Sequence, residues 1–167
     1  MITWCNDRLA IADIQDYETV VDAFLESGIT HVLSCRRRNP ASFQILHGIV
    51  VFINPTEDDG LPKAPEWFGK SIHFALGALA LPRNRVCVCC CNGSNRAPST
   101  ALAILMAQGL AFDVALDIIL ATRSGAEIRY RQDAQTAVKL LGYSDDQNRA
   151  ARCRTSPLFG SGGIANG

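Results

Sequence analysis

A chain of 167 residues is long enough to bury one substantial core, and 48% hydrophobic with 19% charged residues is ordinary for a globular domain. Sixteen basic and sixteen acidic side chains cancel, so no global field recruits nucleic acid or a membrane surface, and neither is an expected partner. No apolar run approaches the ~18 residues of a membrane span, and the opening Met1-Ile2-Thr3-Trp4-Cys5-Asn6-Asp7-Arg8 lacks the regions of a secretory signal. A cytoplasmic protein is the expectation.

Leu9-Ala10-Ile11-Ala12 predicts a first strand. Asp16 is positioned to cap a helix over Tyr17 to Ser27, with Val20, Val21, Phe24 and Leu25 on one face and Gly28 as the stop. Ile29 to Cys35 reads as a buried strand, broken by the turn Arg36-Arg37-Arg38-Asn39-Pro40. Phe43 to Ile53 predicts one or two further strands, and Asn54 to Pro62 a loop. Pro65 opens a helix whose apolar face, from Trp67 to Leu79, runs to about Ala80. A strand from Arg85 to Cys89 follows, then a polar loop and a helix with Pro98 in its first turn, ending near Gly109. Asp113 to Thr122 and Arg131 to Leu141 predict two more helices. From Ser144 the composition turns polar and Gly/Ser-rich, which reads as a disordered tail (144–167) after a domain spanning 1–143. Alternating strands and helices imply an α/β fold, a mostly parallel central sheet of four to five strands with helices on both faces.

Four of the seven cysteines, Cys87, Cys89, Cys90 and Cys91, lie within five residues. A disulfide framework spreads its cysteines along the chain, and a zinc site needs paired ligands at two places. Cys5, Cys35 and Cys153 are isolated, and His31, His47 and His73 show no ligand spacing. Reduced thiols, with no metal and no cofactor, are expected.

The cysteine run leads into the loop Cys90-Cys91-Asn92-Gly93-Ser94-Asn95-Arg96 and then a helix. Successive backbone N–H groups at a helix N-terminus attract anions, because they lack partners and the dipole is positive there. Gly93 allows the inward turn, and Arg96 offers a fork for two phosphate oxygens. The same field favours a thiolate at Cys90. Lowering a thiol from pKa ~8.5 to ~5.5 makes the thiolate dominant at neutral pH, a stabilisation of about 4 kcal/mol. A leaving oxygen also needs a proton, and Glu57-Asp58-Asp59 supplies carboxyls whose mutual repulsion raises at least one pKa.

These residues resemble the cysteine-based protein phosphatases, in the dual-specificity branch. The family pattern is His-Cys-x2-Gly-x2-Arg followed by Ser or Thr, with an upstream Asp on a mobile loop; Cys90, Gly93 and Arg96 match it. Asp58-Asp59-Gly60-Leu61-Pro62 is similar to the family's Asp-x-Gly-x-Pro acid loop, which implies Asp58 as general acid and leaves Asp59 as the alternative. The resemblance extends from Leu9 to Tyr143. It implies a phosphocysteine intermediate, a phosphorylated substrate (a protein in the first place), and a loop, Cys91 to Arg96, that would hold a phosphate or sulfate ion. Cys89 stands where the family has His, and Ala97 where it has a hydroxyl that assists the second step; Arg-Ala-Pro also occurs in regenerating-liver and plant glucan phosphatases. These departures imply a slow second step and keep a phosphate-binding pseudophosphatase as the alternative. The loop positions Cys91, Asn92, Ser94 and Asn95 add no positive charge, which lowers phosphoinositides as substrates. Asn95-Arg96 is similar to the RNA 5′-phosphatases, so RNA 5′-phosphate and glucan remain alternative substrates. Arg36-Arg37-Arg38 reads as a solvated turn, and Arg123, Arg129 and Arg131 as candidate rim residues. A reversible oxidation of Cys90 with a cysteine from another strand, such as Cys35, is a third reading.

Overall fold

A computed structural model describes residues 1–15, 17–39 and 48–143. Its centre is the strand β5, Val86–Cys90, all five residues of which are buried. Here β1 is Ile2–Trp4, β2 Leu9–Asp13, β3 His31–Ser34 and β4 Val50–Ile53, and the sheet order is β1-β2-β5-β3-β4. β2, β5, β3 and β4 run parallel, while β1 pairs antiparallel with β2 at the edge. An α/β architecture with a mostly parallel sheet is therefore present. The alternation of β5 divides the interior, as a strand covered on both faces requires. Val86, Val88 and Cys90 face one core; Cys87 and Cys89 face the other.

One helix, α1 (Tyr17–Glu26), covers the second core through Val20 and Phe24. Four helices stand over the first: α2 (Pro65–Leu79), α3 (Arg96–Ala107), α4 (Phe112–Thr122) and α5 (Arg131–Leu140). Every residue of α3 is buried, because the helix lies between the sheet and the other three helices of that layer. Its alanines, Ala97, Ala101, Ala103 and Ala107, allow that close approach. No helix of the described residues is long and apolar enough to cross a membrane.

Several boundaries differ from the sequence reading. The hairpin strand β1 was not expected; it is three half-buried residues, closed by Asn6 Oδ1 accepting the N–H groups of Arg8 and Leu9 at 2.9 and 2.8 Å. Helix α3 begins at Arg96, which puts Pro98 in its first turn, as expected. Pro98 is harmless there because the first four N–H groups of a helix have no intrahelical partner. Described strand in the 43–53 interval is β4 alone, and Phe43 to His47 lie outside the described residues, as do Asp16, Cys153 and the tail from 144.

Candidate active site

The Cys90 loop leaves β5 between two neighbours that hold it by main-chain bonds. Ile14 N–H donates to Cys90 O at 3.0 Å, and Cys35 N–H to Cys89 O at 2.8 Å. Gly93 takes φ +62° and its N–H donates to Cys90 Sγ at 3.2 Å. The loop's carbonyls are occupied on the outside. Asn92 O accepts from Arg123 Nη2 at 3.2 Å, and Ser94 O accepts the N–H groups of Glu127 and Ile128 at 2.9 and 3.2 Å. A trans peptide holds its C=O and N–H on opposite sides. The outward carbonyls of Asn92 and Ser94 therefore turn the N–H groups of Gly93 and Asn95 inward, and the Gly93 contact with Sγ shows that direction directly. Ile128 reaches Ser94 with φ +48°, a strained setting for a β-branched residue. Asn95 does not cap α3 with its side chain, which instead accepts Arg129 N–H at 3.3 Å.

Arg96, the first residue of α3, is 7% exposed. Its Nη1 donates to Thr56 O at 3.1 Å and to Cys35 O at 3.3 Å. Its Nε stands 3.4 Å from Asp58 Oδ2, an ion-pair distance without hydrogen-bond geometry. Burial pushes the guanidinium pKa down, but Cys91, Cys90 and Asp58 outweigh it and hold the pKa above its ordinary value. Cys90 is 1% exposed at the floor and Cys91 half-buried beside it.

The acid loop is anchored at both ends. Asn54 Nδ2 donates to Trp67 O and Ser71 Oγ, both at 2.8 Å, and Lys63 N–H donates to Asp133 Oδ2 at 2.9 Å. Between them the three carboxyls diverge. Glu57 pairs with Arg37 at the surface. Asp58 accepts Tyr130 O–H at 2.9 Å and faces Arg96, while Asp59 binds Lys63 Nζ and accepts Leu61 N–H at 3.0 Å. The expected repulsion among adjacent carboxyls is thus relieved by separate cations, and the hydrogen bond from Lys63 holds Asp59 below the usual carboxylate range. Tyr130, buried and bonded to Asp58, has its pKa raised, with burial the larger cause.

The space above the floor is a cavity of about 750 Å³. Cys91, Arg96 and the carboxyls of Glu57, Asp58 and Asp59 line it, and so do Arg36, Arg37 and Arg38. The arginine turn is thus a wall of the site, not only a solvated turn. The sequence reading also missed Tyr130, Lys63 and the hold of Arg123 on the outside of the loop. Of these, only Lys63 left a signal, four residues after Asp59 and able to draw that carboxyl aside. Arg129 and Arg131 line a separate pocket with Tyr130 and Asp133. Cys35 is pushed up to about 12, chiefly by burial, and Cys89 well up for the same reason. The Cys89 thiol sits in the α1-side core, 3.5 Å from Leu33 O.

No family model matches the sequence, and no curated protein matches it. Solved structures do share the fold. A mouse putative dual specificity phosphatase complexed with zinc tungstate superposes with a TM-score of 0.73 at 19% identity, over 84% of this chain and 87% of that one. Tk-PTP in its active form gives 0.70 at 17% identity, over 83% and 96%. A human tyrosine phosphatase-like serine/threonine/tyrosine-interacting protein gives 0.71 at 16%, over 84% and 97%. The fold is the one these dual specificity and tyrosine phosphatase structures share.

Proposed function

We propose that the protein is a phosphomonoester hydrolase of the dual-specificity kind, acting on phosphotyrosine, phosphoserine or phosphothreonine through a phosphocysteine. What carries this reading is the meeting of a buried arginine fork and a carboxyl at one cavity, beside a buried thiol that an inward N–H contacts. Cys90 Sγ attacks phosphorus as the thiolate; the S–P bond forms as the P–O bond to the leaving group breaks. The N–H groups of the loop from Cys91 to Arg96, with the Arg96 fork, hold the three non-bridging oxygens, where charge must be stabilised without reorganisation. Asp58 passes its proton to the leaving oxygen. Its carboxylate then takes a proton from water, which attacks phosphorus, releases inorganic phosphate and returns the thiolate.

Asp58 suits this role better than Asp59. Its carboxyl lies against Arg96 and is oriented by Tyr130, whereas Asp59 is turned to Lys63. Substrate phosphate entering the Arg96 fork would replace the Asp58 contact and leave that carboxyl beside the leaving oxygen.

A phosphate-binding protein without turnover is the second reading. Ala97, fully buried in the first turn of α3, offers no hydroxyl for the hydrolytic step, and Cys89 puts a neutral buried thiol where a histidine is usual in this branch. One assay separates the two. Wild type given a generic aryl phosphate should release many equivalents of alcohol per protein, and Cys90→Ser should fall by at least about 10³-fold while still binding phosphate. One equivalent followed by arrest would support the second reading. Undiminished turnover by Cys90→Ser would end the first.

A further inference from the structure

We propose that the segment Glu127 to Tyr130 is a bracket between the phosphate cradle and the acid loop, and that Tyr130 is a positioning residue that aims the Asp58 proton at the leaving oxygen. The inference rests on the reading of the Cys90 loop as the phosphate-cleaving centre. Consecutive residues of the segment reach the two loops in turn. The N–H groups of Glu127 and Ile128 donate to Ser94 O at 2.9 and 3.2 Å, and Arg129 N–H donates to Asn95 Oδ1 at 3.3 Å. Those bonds hold the cradle. Tyr130, the next residue, turns to the acid loop: its O–H donates to Asp58 Oδ1 at 2.9 Å, and its oxygen accepts Gly60 N–H at 3.1 Å. One short segment thus sets the floor and the acid relative to each other.

The bracket is anchored in packed structure. Ile128 is buried with φ +48°, a setting that a β-branched residue keeps only where its surroundings impose it. Tyr130 is also buried, at the N-terminal cap of α5, and its carbonyl accepts Ala134 N–H at 3.0 Å. Lys63 N–H bonds Asp133 Oδ2 in the first turn of the same helix at 2.9 Å, and Lys63 Nζ lies 4.8 Å from the centre of the Tyr130 ring. Helix α5 packs in turn against α3, which carries Arg96. The acid and the arginine therefore share one support.

The hydrogen bonds also decide where the acidic proton stands. An amide N–H can only donate, so the single phenol hydrogen is left for Asp58. Burial and then Asp58 raise the phenol pKa against the Gly60 bond, so Tyr130 keeps that hydrogen at neutral pH. With Oδ1 accepting it, the carboxyl proton of Asp58 stands on Oδ2, the oxygen 3.4 Å from Arg96 Nε. That is the side on which the phosphate is held. As the P–O bond to the leaving group breaks, this proton passes from Oδ2 to the leaving oxygen, and the phenol keeps its own. Negative charge then develops on the Asp58 carboxylate, and a hydrogen bond to a charged acceptor is stronger than one to a neutral acceptor. The Tyr130 bond tightens in the transition state, which is the kind of gain that raises the rate.

The test measures kcat/KM on benzyl phosphate and on 4-nitrophenyl phosphate in wild type, Tyr130→Phe, Asp58→Asn and the double variant. Phenylalanine keeps the ring beside Lys63 and removes only the hydroxyl. Tyr130→Phe should lower kcat/KM on benzyl phosphate by about tenfold, the scale of one hydrogen bond to a charged group. On 4-nitrophenyl phosphate, whose leaving group departs as the anion, the change should stay within about twofold. Inhibition by inorganic phosphate should not change. In the Asp58→Asn background the same substitution should cost nothing further, because the proton it aims is gone. An equal loss on both substrates would mean a packing role alone and overturn the inference; so would a loss that persists in Asp58→Asn. An active wild type matched by Tyr130→Phe on benzyl phosphate removes the inference and leaves the Cys90 chemistry standing. A wild type that cleaves neither compound removes the cleavage reading and this inference with it.

Discussion

The floor and the rim of the cavity are held by different forces. Cys90 and Arg96 are almost fully buried, and the loop between them is tied down by main-chain bonds from β2, β3 and the segment before α5. Glu57, Asp59, Arg37 and Arg38 stand exposed on two connections, where Glu57 pairs with Arg37 and Asp59 with Lys63. The floor owes its geometry to register and helix packing, so its atoms are fixed before any ligand arrives. The rim's exposed charged side chains are held by ion pairs that water and salt weaken, so they can exchange partners. Such a division suits chemistry below and recognition above. Asp58 belongs to the rim by sequence and to the floor by contact.

The largest break in that comparison should come from the two adjacent carboxyls. Asp58→Asn removes the proton that the leaving oxygen needs and should lower kcat on an alkyl phosphate by about 10²–10⁴-fold. Asp59→Asn should change it by no more than a few-fold, because Asp59 faces Lys63 and not the floor. The contrast should shrink on an activated aryl phosphate, whose leaving group departs without full protonation. Equal losses in the two variants would mean that neighbouring carboxyls on the rim are interchangeable, and the assignment of Asp58 would fall.

Gly93 probes the floor from beneath. A Cβ there would lie 2.2 Å from Arg123 Nη2, and the backbone φ of +62° is itself unfavourable for an L residue. Gly93→Ala should cost about 1–2 kcal/mol for the left-handed backbone, with a further loss as Arg123 is displaced from Asn92 O and Asp13. Denaturant melts of Gly93→Ala in wild-type and Arg123→Ala backgrounds test this. The alanine should cost less where the guanidinium is already gone; equal costs would show that Arg123 does not press on the loop.

Legibility in the sequence divided along similar lines. Cys90, Gly93 and Arg96 were readable because one short loop carries all three, and its strand and helix have clear apolar patterns. The helix after Pro65 was readable for the same reason, since its buried face follows helical spacing. β1 was not, because three half-buried residues give too short an alternation. The contact of Arg123 with Asn92 O and that of Tyr130 with Asp58 were out of reach, as each arises only through packing of α4 and α5 against α3. Arg36 to Arg38 looked like a solvated turn because charge on a turn says nothing of what lies across the sheet. Only the acid-loop resemblance favours Asp58 over Asp59 in the sequence, because a loop has no period to say which way each side chain points.

The smallest expected effect lies under the floor, where Asp13 holds Arg123. Asp13 Oδ1 accepts from Arg123 Nη2 at 2.8 Å and lies 2.9 Å from the Met1 ammonium. Burial raises its pKa, but those two cations outweigh burial and hold it below the ordinary 3.8. A carboxyl lowered on folding binds fewer protons in the folded state, so its contribution to stability is complete above the unfolded value. That contribution is lost as pH falls through the lower folded value. Wild type should therefore melt higher than Asp13→Asn from about pH 6 down to about pH 4, and the two melting curves should draw together as the solution is made more acidic. Because the carboxyl is partly exposed, the difference should be small and should shrink with added salt. A difference that grew on acidification would reverse the sign of the linkage and show that Asp13 is not held as an anion beneath the loop.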